Sequence, residues 1–305
     1  MTMHFHPASA LDGEIRRLAV PEIEKAIAEL SSAHVDPHKG VHRIRKQLKW
    51  IRALFALVRP ADDGFFGAED RRYRDIARSL ARPRTAAACV ETIDRFCQDY
   101  PRQCERNNVG RLHSLMAARI TGNEAMEGFD AAIHAAAGAC GAGLMALDRF
   151  RNASGRDDDA EVVRLSVAKS LKLIARSLDA AERRGRADDF HELRKAVKAH
   201  AVHVDLLAAV WPELDGKYQK DLAKLGQSLG DLHDITMVRD HLPAKPDAEI
   251  QKAIDCLKKL MRRQEKKLRK SCIAKARLLF QGRPRKIARA VAANWLLAAD
   301  ERLAA

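Results

Sequence analysis

The sequence from Val41 to Lys49, VHRIRKQLK, returns in altered form from Phe190 to Lys198, FHELRKAVK. The two copies share one His, one Arg and two Lys residues at the same spacing, and a shift of 149 residues superimposes them. The same shift later places Ile76, Ser79 and Leu80 on Leu225, Ser228 and Leu229. A register that persists over about forty residues indicates an internal duplication.

Each copy predicts a helix with one basic face and one apolar face. At about 100° per residue, the cations of the first helix lie opposite an apolar side that extends from Ile44 to Val58. The basic side of this helix carries His42, Arg45, Lys46, Lys49 and Arg52, and the second helix repeats the pattern with His191, Arg194, Lys195 and Lys198. Cations four residues apart repel each other by roughly a few tenths of a kcal/mol, so the pattern favours an anionic ligand along the stripe.

Helical periodicity extends over most of the chain. Apolar residues recur every three or four positions, and only 10 of the 305 residues are Pro. The sequence therefore predicts an all-α fold. We predict twelve helices, at residues 11–33, 40–58, 66–81, 85–99, 107–120, 124–150, 160–184, 188–210, 213–229, 231–241, 247–280 and 284–303.

Composition indicates a polyanionic partner. The chain has 55 Lys and Arg residues against 41 Asp and Glu residues, which leaves a net charge of +14. This charge makes nucleic acid, polyphosphate or an acidic membrane the classes to consider. The six Cys residues contain no Cys-x-x-Cys pair, so neither a zinc site nor a disulfide framework is predicted. No run approaches the length of a membrane span and no leader is visible, so we expect a cytoplasmic protein without a membrane partner.

The polar stretch 151–159 predicts a linker at the middle of the chain. We therefore divide the chain into a first helical half, 1–150, and a second, 151–305, which together form one compact unit.

The repeated motif resembles the conserved histidine α-helical domain, known as the CHAD domain. In the second half it is followed by Leu229-Gly230-Asp231-Leu232-His233-Asp234, which strengthens the resemblance over nearly the whole chain. The resemblance implies two four-helix bundles related by a pseudo-twofold axis, around a basic cavity that binds inorganic polyphosphate. It implies a non-enzymatic binder with no cofactor, no catalytic residue and no metal site, and it leaves open an association with polyphosphate granules. The implied polyphosphate ligands are His42, Arg45, Lys46, Lys49, Arg52, His191, Arg194, Lys195 and Lys198, to which we add Lys220 and Lys224.

The second copy of the motif departs from the family pattern. Family members usually carry an Arg ten residues after the second His and an aromatic residue beyond it, but Ala201 and Val202 occupy these positions. The second basic stripe is therefore shorter than the first. We expect asymmetric binding, in which the first helix contributes more.

Two other functions compete with polyphosphate binding. A basic run from Lys258 to Lys270 favours a nucleic-acid-binding helical protein, although the fifteen Phe, Trp and Tyr residues offer few rings for base stacking. The adjacent His233 and Asp234 could instead belong to an all-helical metal-dependent phosphohydrolase. The Gly-rich stretch 138–143 follows no strand and precedes no Lys-Ser or Lys-Thr pair, so close helix packing explains it better than a phosphate loop.

The motif histidines predict a coupling between binding and protonation. Neighbouring cations lower the pKa of His42 and His191 while the site is empty, and a bound phosphate removes that opposition. Binding should therefore take up protons.

Overall fold

The computed structural model describes residues 4–32, 37–121, 128–151, 156–211, 214 and 216–301. Within these ranges the chain forms twelve α-helices and no strand, which confirms the all-α prediction. In chain order the helices are α1 (Leu11–Ser32), α2 (Pro37–Leu57), α3 (Asp63–Ser79), α4 (Ala81–Asp99), α5 (Pro101–Arg106), α6 (Val109–Thr121), α7 (Phe129–Leu147), α8 (Arg156–Arg183), α9 (Ala187–Leu206), α10 (Gly216–His241), α11 (Ala248–Leu279) and α12 (Pro284–Glu301).

Four helices of the first half form a closed ring around the largest core. α2 and α7 each pack against both α1 and α3. The apolar side predicted for α2 lies inside this ring, where Ile44, Ile51 and Phe55 are fully buried. The core also includes residues from α8, from the end of α9 and from α12, so helices of the second half complete it.

Helices α8, α9, α10 and α11 form a second group. Each packs against the next along the chain, and α11 also touches α8. The core of this group includes Leu193 and Val197 of α9 and Leu225 and Leu229 of α10. A third core joins α4, α5 and α6 to the end of α10 and the first half of α11. Two of the three cores formed by the described residues therefore combine both sides of residue 150.

Several helices differ from the predicted ones, and three of the differences have a clear reason or place. α10 runs unbroken from Gly216 to His241 although a break was predicted at Gly230, because a buried Gly costs a helix only about 1 kcal/mol relative to Ala. α5 occupies residues predicted as a loop, with Pro101 in its first turn, where a missing amide hydrogen is tolerated. α8 begins at Arg156, inside the predicted linker, whereas residues 152–155 lie outside the described ranges.

α7 is long and apolar enough to cross a membrane by length and composition, with a mean hydropathy of 1.3, although the sequence predicted no such segment. In the fold it packs against α1 and α3. Gly143 permits this approach, because a Cβ there would collide with the Tyr73 hydroxyl. At Gly138 and Gly141 a Cβ would meet no described atom within 4 Å. Close packing therefore explains only one of these three glycines.

Candidate functional site

Helices α2 and α9, which carry the two copies of the motif, pack against each other. A buried hydrogen bond joins them, in which Nε2 of His203 donates to the main-chain oxygen of Ala53 over 2.9 Å. Burial lowers the pKa of His203 to about 4, so its ring is neutral at neutral pH. This contact fixes the two helices side by side and brings their basic faces together.

Lys49 of α2 lies where the two basic faces meet. Its side chain is exposed to solvent, yet the surrounding protein and four cations lower its pKa to about 8. Desolvation is the largest cause of this shift, ahead of the four positive charges. The positive charges that add to the effect are those of Arg194, Arg45, Lys198 and Arg52. We call Lys49 and these four residues the central basic cluster.

Of the two cations that α9 contributes, Arg194 is partly buried and Lys198 is exposed. Desolvation lowers the pKa of both Arg194 and Lys198, and the negative charge of Asp234 opposes the effect at both. The Nε of Arg194 is buried without a hydrogen-bond partner among the described residues. Gly230 lies beneath it, where a Cβ would come within 4.0 Å of that atom. The Nε–H donor of Arg194 therefore has no acceptor among the described residues.

His191 of α9 is paired with His233 of α10 beside this cluster. Their Nδ1 atoms lie 3.2 Å apart and their ring centroids 4.7 Å apart. One ring must donate and the other accept in this hydrogen bond, which requires at least one neutral imidazole. Burial and the charges of Arg194, His191, Lys49 and Lys198 lower the pKa of His233 to about 4. Burial, Lys195 and Arg194 also lower the pKa of His191.

The carboxylates near the cluster are each paired with an arginine. Arg95 of α4 forms ion pairs with Asp231 at 2.7 Å and with Asp234 at 3.0 Å. On the side of α2, Arg52 is paired with Asp70 at 2.8 Å, and Arg45 donates a hydrogen bond to the main-chain oxygen of Ala77. Lys49 has no carboxylate within ion-pairing distance in the part of the chain that the structure describes.

A family model for the CHAD domain matches residues 17–243, a segment that contains α2, α9 and α10 together with every residue of the cluster. The chain belongs to the CHAD family. The matched segment is shorter than the near-complete resemblance expected from the sequence, and α11 and α12 lie beyond it. No curated protein matches the chain.

The CHAD fold brings together six of the eleven predicted ligands: the five cluster residues and His191. His42, Lys46 and Lys220 are exposed on the helices where they were predicted. Lys195 is ion-paired with Glu192 at 2.9 Å, and Lys224 is 3.7 Å from Asp221. Ligand contacts at all eleven residues stay a prediction.

Two site residues of this CHAD protein escaped the sequence analysis. His233 was considered as part of the family-like segment 229–234 and of a metal site, but not as a neighbour of His191, and Arg95 was not considered at all. The position of His233 inside the family-like segment could have been a signal. Arg95 stands in no repeated pattern, and only the packing of α4 on α10 reveals its role.

A cavity of about 210 Å³ adjoins the histidine pair. It lies between the start of α9, α10 and α11, and its walls include His191, His233, Phe190 and Arg269. Phe190 is capped by the guanidinium of Arg269 at 5.1 Å from the ring centroid. The site therefore combines a basic surface with a small recess beside its histidines.

Proposed function

We propose that this CHAD protein binds inorganic polyphosphate at the central basic cluster and does not catalyse a reaction. The observation that carries the proposal is the convergence of four cations from two helices around a fifth, Lys49. Polyphosphate bears about one negative charge per internal unit, so successive units can each meet a cation. The negative charge of bound polyphosphate would offset the repulsion that the five cations exert on one another.

The chemistry of the cluster supports an anion without bases. Arg45, Arg52 and Arg194 present forked donors that suit phosphate oxygens, and the two lysines act as compact charges. The aromatic residues of α2 do not form a stacking platform, because Phe55 is buried and Trp50 packs partly buried against the same core. Single-stranded nucleic acids usually require such a platform.

The proposal predicts a strong dependence on salt. For single-stranded polyanions, the slope of log affinity against log salt concentration is about −0.7 for each neutralised phosphate. Five contacts therefore give a slope of about −3.5. We would measure the affinity for long-chain polyphosphate by fluorescence anisotropy at several NaCl concentrations. Lys49→Ala with Lys198→Ala should weaken binding by at least about tenfold at 100 mM salt and reduce the slope by about 1.4.

A matched variant controls for net charge. Lys266→Ala with Lys267→Ala removes two exposed lysines from α11 and should change the affinity by less than threefold. Equal losses in the two double variants would contradict a site at the cluster.

Displacement of polyphosphate by single-stranded RNA at equal charge concentration would favour nucleic acid as the ligand. Release of inorganic phosphate with Mg²⁺ or Mn²⁺ would revive the phosphohydrolase alternative.

An exposed row of cations on α11 favours a second candidate function, the binding of nucleic acid. The apolar face of this helix is buried through Ile250, Leu257 and Met261, so its basic face points to solvent. Seven exposed cations on this face form no ion pair with another described residue, namely Lys252, Lys259, Arg262, Arg263, Lys266, Lys267 and Lys270. Arg262→Glu with Lys266→Glu should abolish any duplex-DNA binding and leave polyphosphate binding at the cluster within threefold.

A further inference from the structure

Three of the six cysteines meet where α4, α5 and α11 pack together. Cys97 lies in the last turn of α4, Cys104 on α5 and Cys256 on α11. The Sγ of Cys104 donates to the main-chain oxygen of Phe96, directly before Cys97, over 3.7 Å. The Sγ of Cys256 donates to the main-chain oxygen of Gln103, directly before Cys104, over 3.6 Å. The three thiols therefore form one group at the third core, which we call the thiol cluster.

Cys97 and Cys104 form the pair within the thiol cluster that can react with each other. Their side chains lie within hydrogen-bonding distance. The sulfur atoms of a disulfide are about 2.05 Å apart, so these two sulfurs need to approach by only about 2 Å. Cys104 is 5% exposed, whereas Cys97 is half-buried. A small solute can therefore reach the Cys97 thiol from solvent.

We propose that Cys97 and Cys104 are a redox modification site, in which hydrogen peroxide or another small peroxide links the two thiols in a reversible disulfide. The peroxide oxidises Cys97, and Cys104 then resolves the product. The site uses no residue of the central basic cluster and does not rest on the proposed function.

The reaction has two steps. The Cys97 thiol loses its proton, and the thiolate attacks one oxygen of the peroxide, so that an S–O bond forms and the O–O bond breaks. The other oxygen leaves with the bonding electron pair and takes up a proton to give water, and Cys97 is now a sulfenic acid. The Cys104 sulfur then attacks the Cys97 sulfur, an S–S bond forms, and the S–O bond breaks to release a second water. The two thiols are oxidised and the peroxide is reduced.

Burial divides the roles of the two thiols. It raises the pKa of Cys104 to about 12, so this thiol stays protonated at neutral pH and is a poor first target for a peroxide. Once Cys97 is oxidised, Cys104 already lies beside it, and this proximity compensates for the small thiolate fraction. Cys140 and Cys272 are fully buried, and no other thiol of the described ranges acts on either of them. They serve as internal controls.

Peptide mapping of the full chain tests the site. Trypsin cleaves after Arg102, so Cys97 and Cys104 fall on separate peptides, 96–102 and 103–106. The reduced protein is treated with about 1 mM hydrogen peroxide at pH 7.5, remaining thiols are alkylated, and the chain is digested without reductant. We expect the two peptides to be joined in at least about half of the chains, and to separate after dithiothreitol.

Two results of the mapping would overturn the proposal. One is the absence of joined peptides while Cys97 is oxidised no faster than Cys140 and Cys272. The other is a link from Cys97 to peptide 253–258, which carries Cys256, in place of the link to Cys104.

Single substitutions separate the roles of the thiols. Cys104→Ala should stop the reaction at the sulfenic acid of Cys97, which dimedone traps as an adduct on peptide 96–102. Cys97→Ser should leave Cys104 with less than about a tenth of that label. Cys256→Ser is the matched control and should change the yield of the disulfide by less than about twofold. Circular dichroism checks the fold of each variant, and a disulfide lost in Cys256→Ser alone would contradict the assigned pair.

The mapping of the unsubstituted chain needs no variant, so it decides the proposal even if Cys104→Ala does not fold.

Discussion

Helices α2 and α9 share one motif, but they differ in the turns that follow it. On α2 the basic face continues to Arg52, and Ile51 and Leu54 beneath it are fully buried. The shift of 149 residues places His200 and His203 of α9 at these two apolar positions. Both histidines are also buried, with 0% and 4% exposure. The second copy thus fills the same core positions with polar rings, each of which needs a hydrogen-bond partner.

The partners of these rings and the acids around the cluster make the two helices unequal. His200 interacts with the Tyr218 hydroxyl at 3.0 Å, and His203 donates to α2. The cations of α9 also lie near Asp231 and Asp234, which offset part of their charge. Equivalent residues in the duplicated sequence therefore lie in different electrostatic surroundings, because their charged neighbours come from other helices.

Charge reversal on each helix tests this inequality and should give the largest effect. Arg45→Glu with Lys49→Glu should weaken polyphosphate binding by about a hundredfold, and Arg194→Glu with Lys198→Glu by about tenfold, because nearby acids already offset the α9 pair. Anisotropy at fixed salt measures both affinities, and thermal unfolding confirms that each variant folds. Equal losses would indicate a symmetric site.

The second-largest expected effect is a loss of stability at low pH, which the buried His203 of α9 causes and the equivalent Leu54 of α2 does not. The folded chain lowers the pKa of His203 to about 4, whereas an unfolded His has about 6.5, so the unfolded chain binds more protons between these values. The free energy of unfolding therefore falls as pH falls from about 6.5 towards 4. The contribution of His203 to this loss is about 2 to 3 kcal/mol at pH 4.5. His203→Leu, which copies Leu54, should cost about 1 kcal/mol at pH 7 through the lost hydrogen bond and remove this acid loss.

Urea unfolding at pH 7 and pH 4.5 measures both effects of His203→Leu. His134→Gln serves as the control, because His134 is exposed on α7 and should leave the pH dependence unchanged. If His203→Leu keeps the full acid loss of the wild type, another group is responsible.

The histidine pair between α9 and α10 gives the third test. The pKa values of His191 and His233 are both lowered in the empty site, and a bound anion should raise them. Polyphosphate binding should then take up protons between pH 5.5 and 7.5, and the affinity should rise by about fivefold as pH falls across this range. Calorimetry in buffers of different ionisation enthalpy measures the uptake, which His233→Gln should reduce. Identical heats in all buffers would contradict the coupling.

The sequence predicted the helical class, the faces of α2 and α9 and the cations that converge, because helical periodicity is local and the motif is repeated. It did not predict the continuity of α10 through Gly230, since the packing around that buried residue outweighs its poor propensity. It also missed Arg95, because a contact between α4 and α10 depends on how helices 136 residues apart in sequence pack together. Residues that share one helix could thus be predicted, whereas the groups that neutralise them could not.

Substitution of Arg95 should have the smallest effect on polyphosphate affinity, and it tests the inequality between α2 and α9 most specifically. It binds Asp231 and Asp234, whose charges already act on Lys198, so its removal should free both acids to pair with the α9 cations. Arg95→Met should therefore weaken polyphosphate binding by about threefold to fivefold, and Asp231→Asn with Asp234→Asn in the same chain should restore it. Anisotropy on the three proteins measures this. If the loss persists without the two acids, Arg95 acts on the ligand directly, and the inequality between α2 and α9 has another origin.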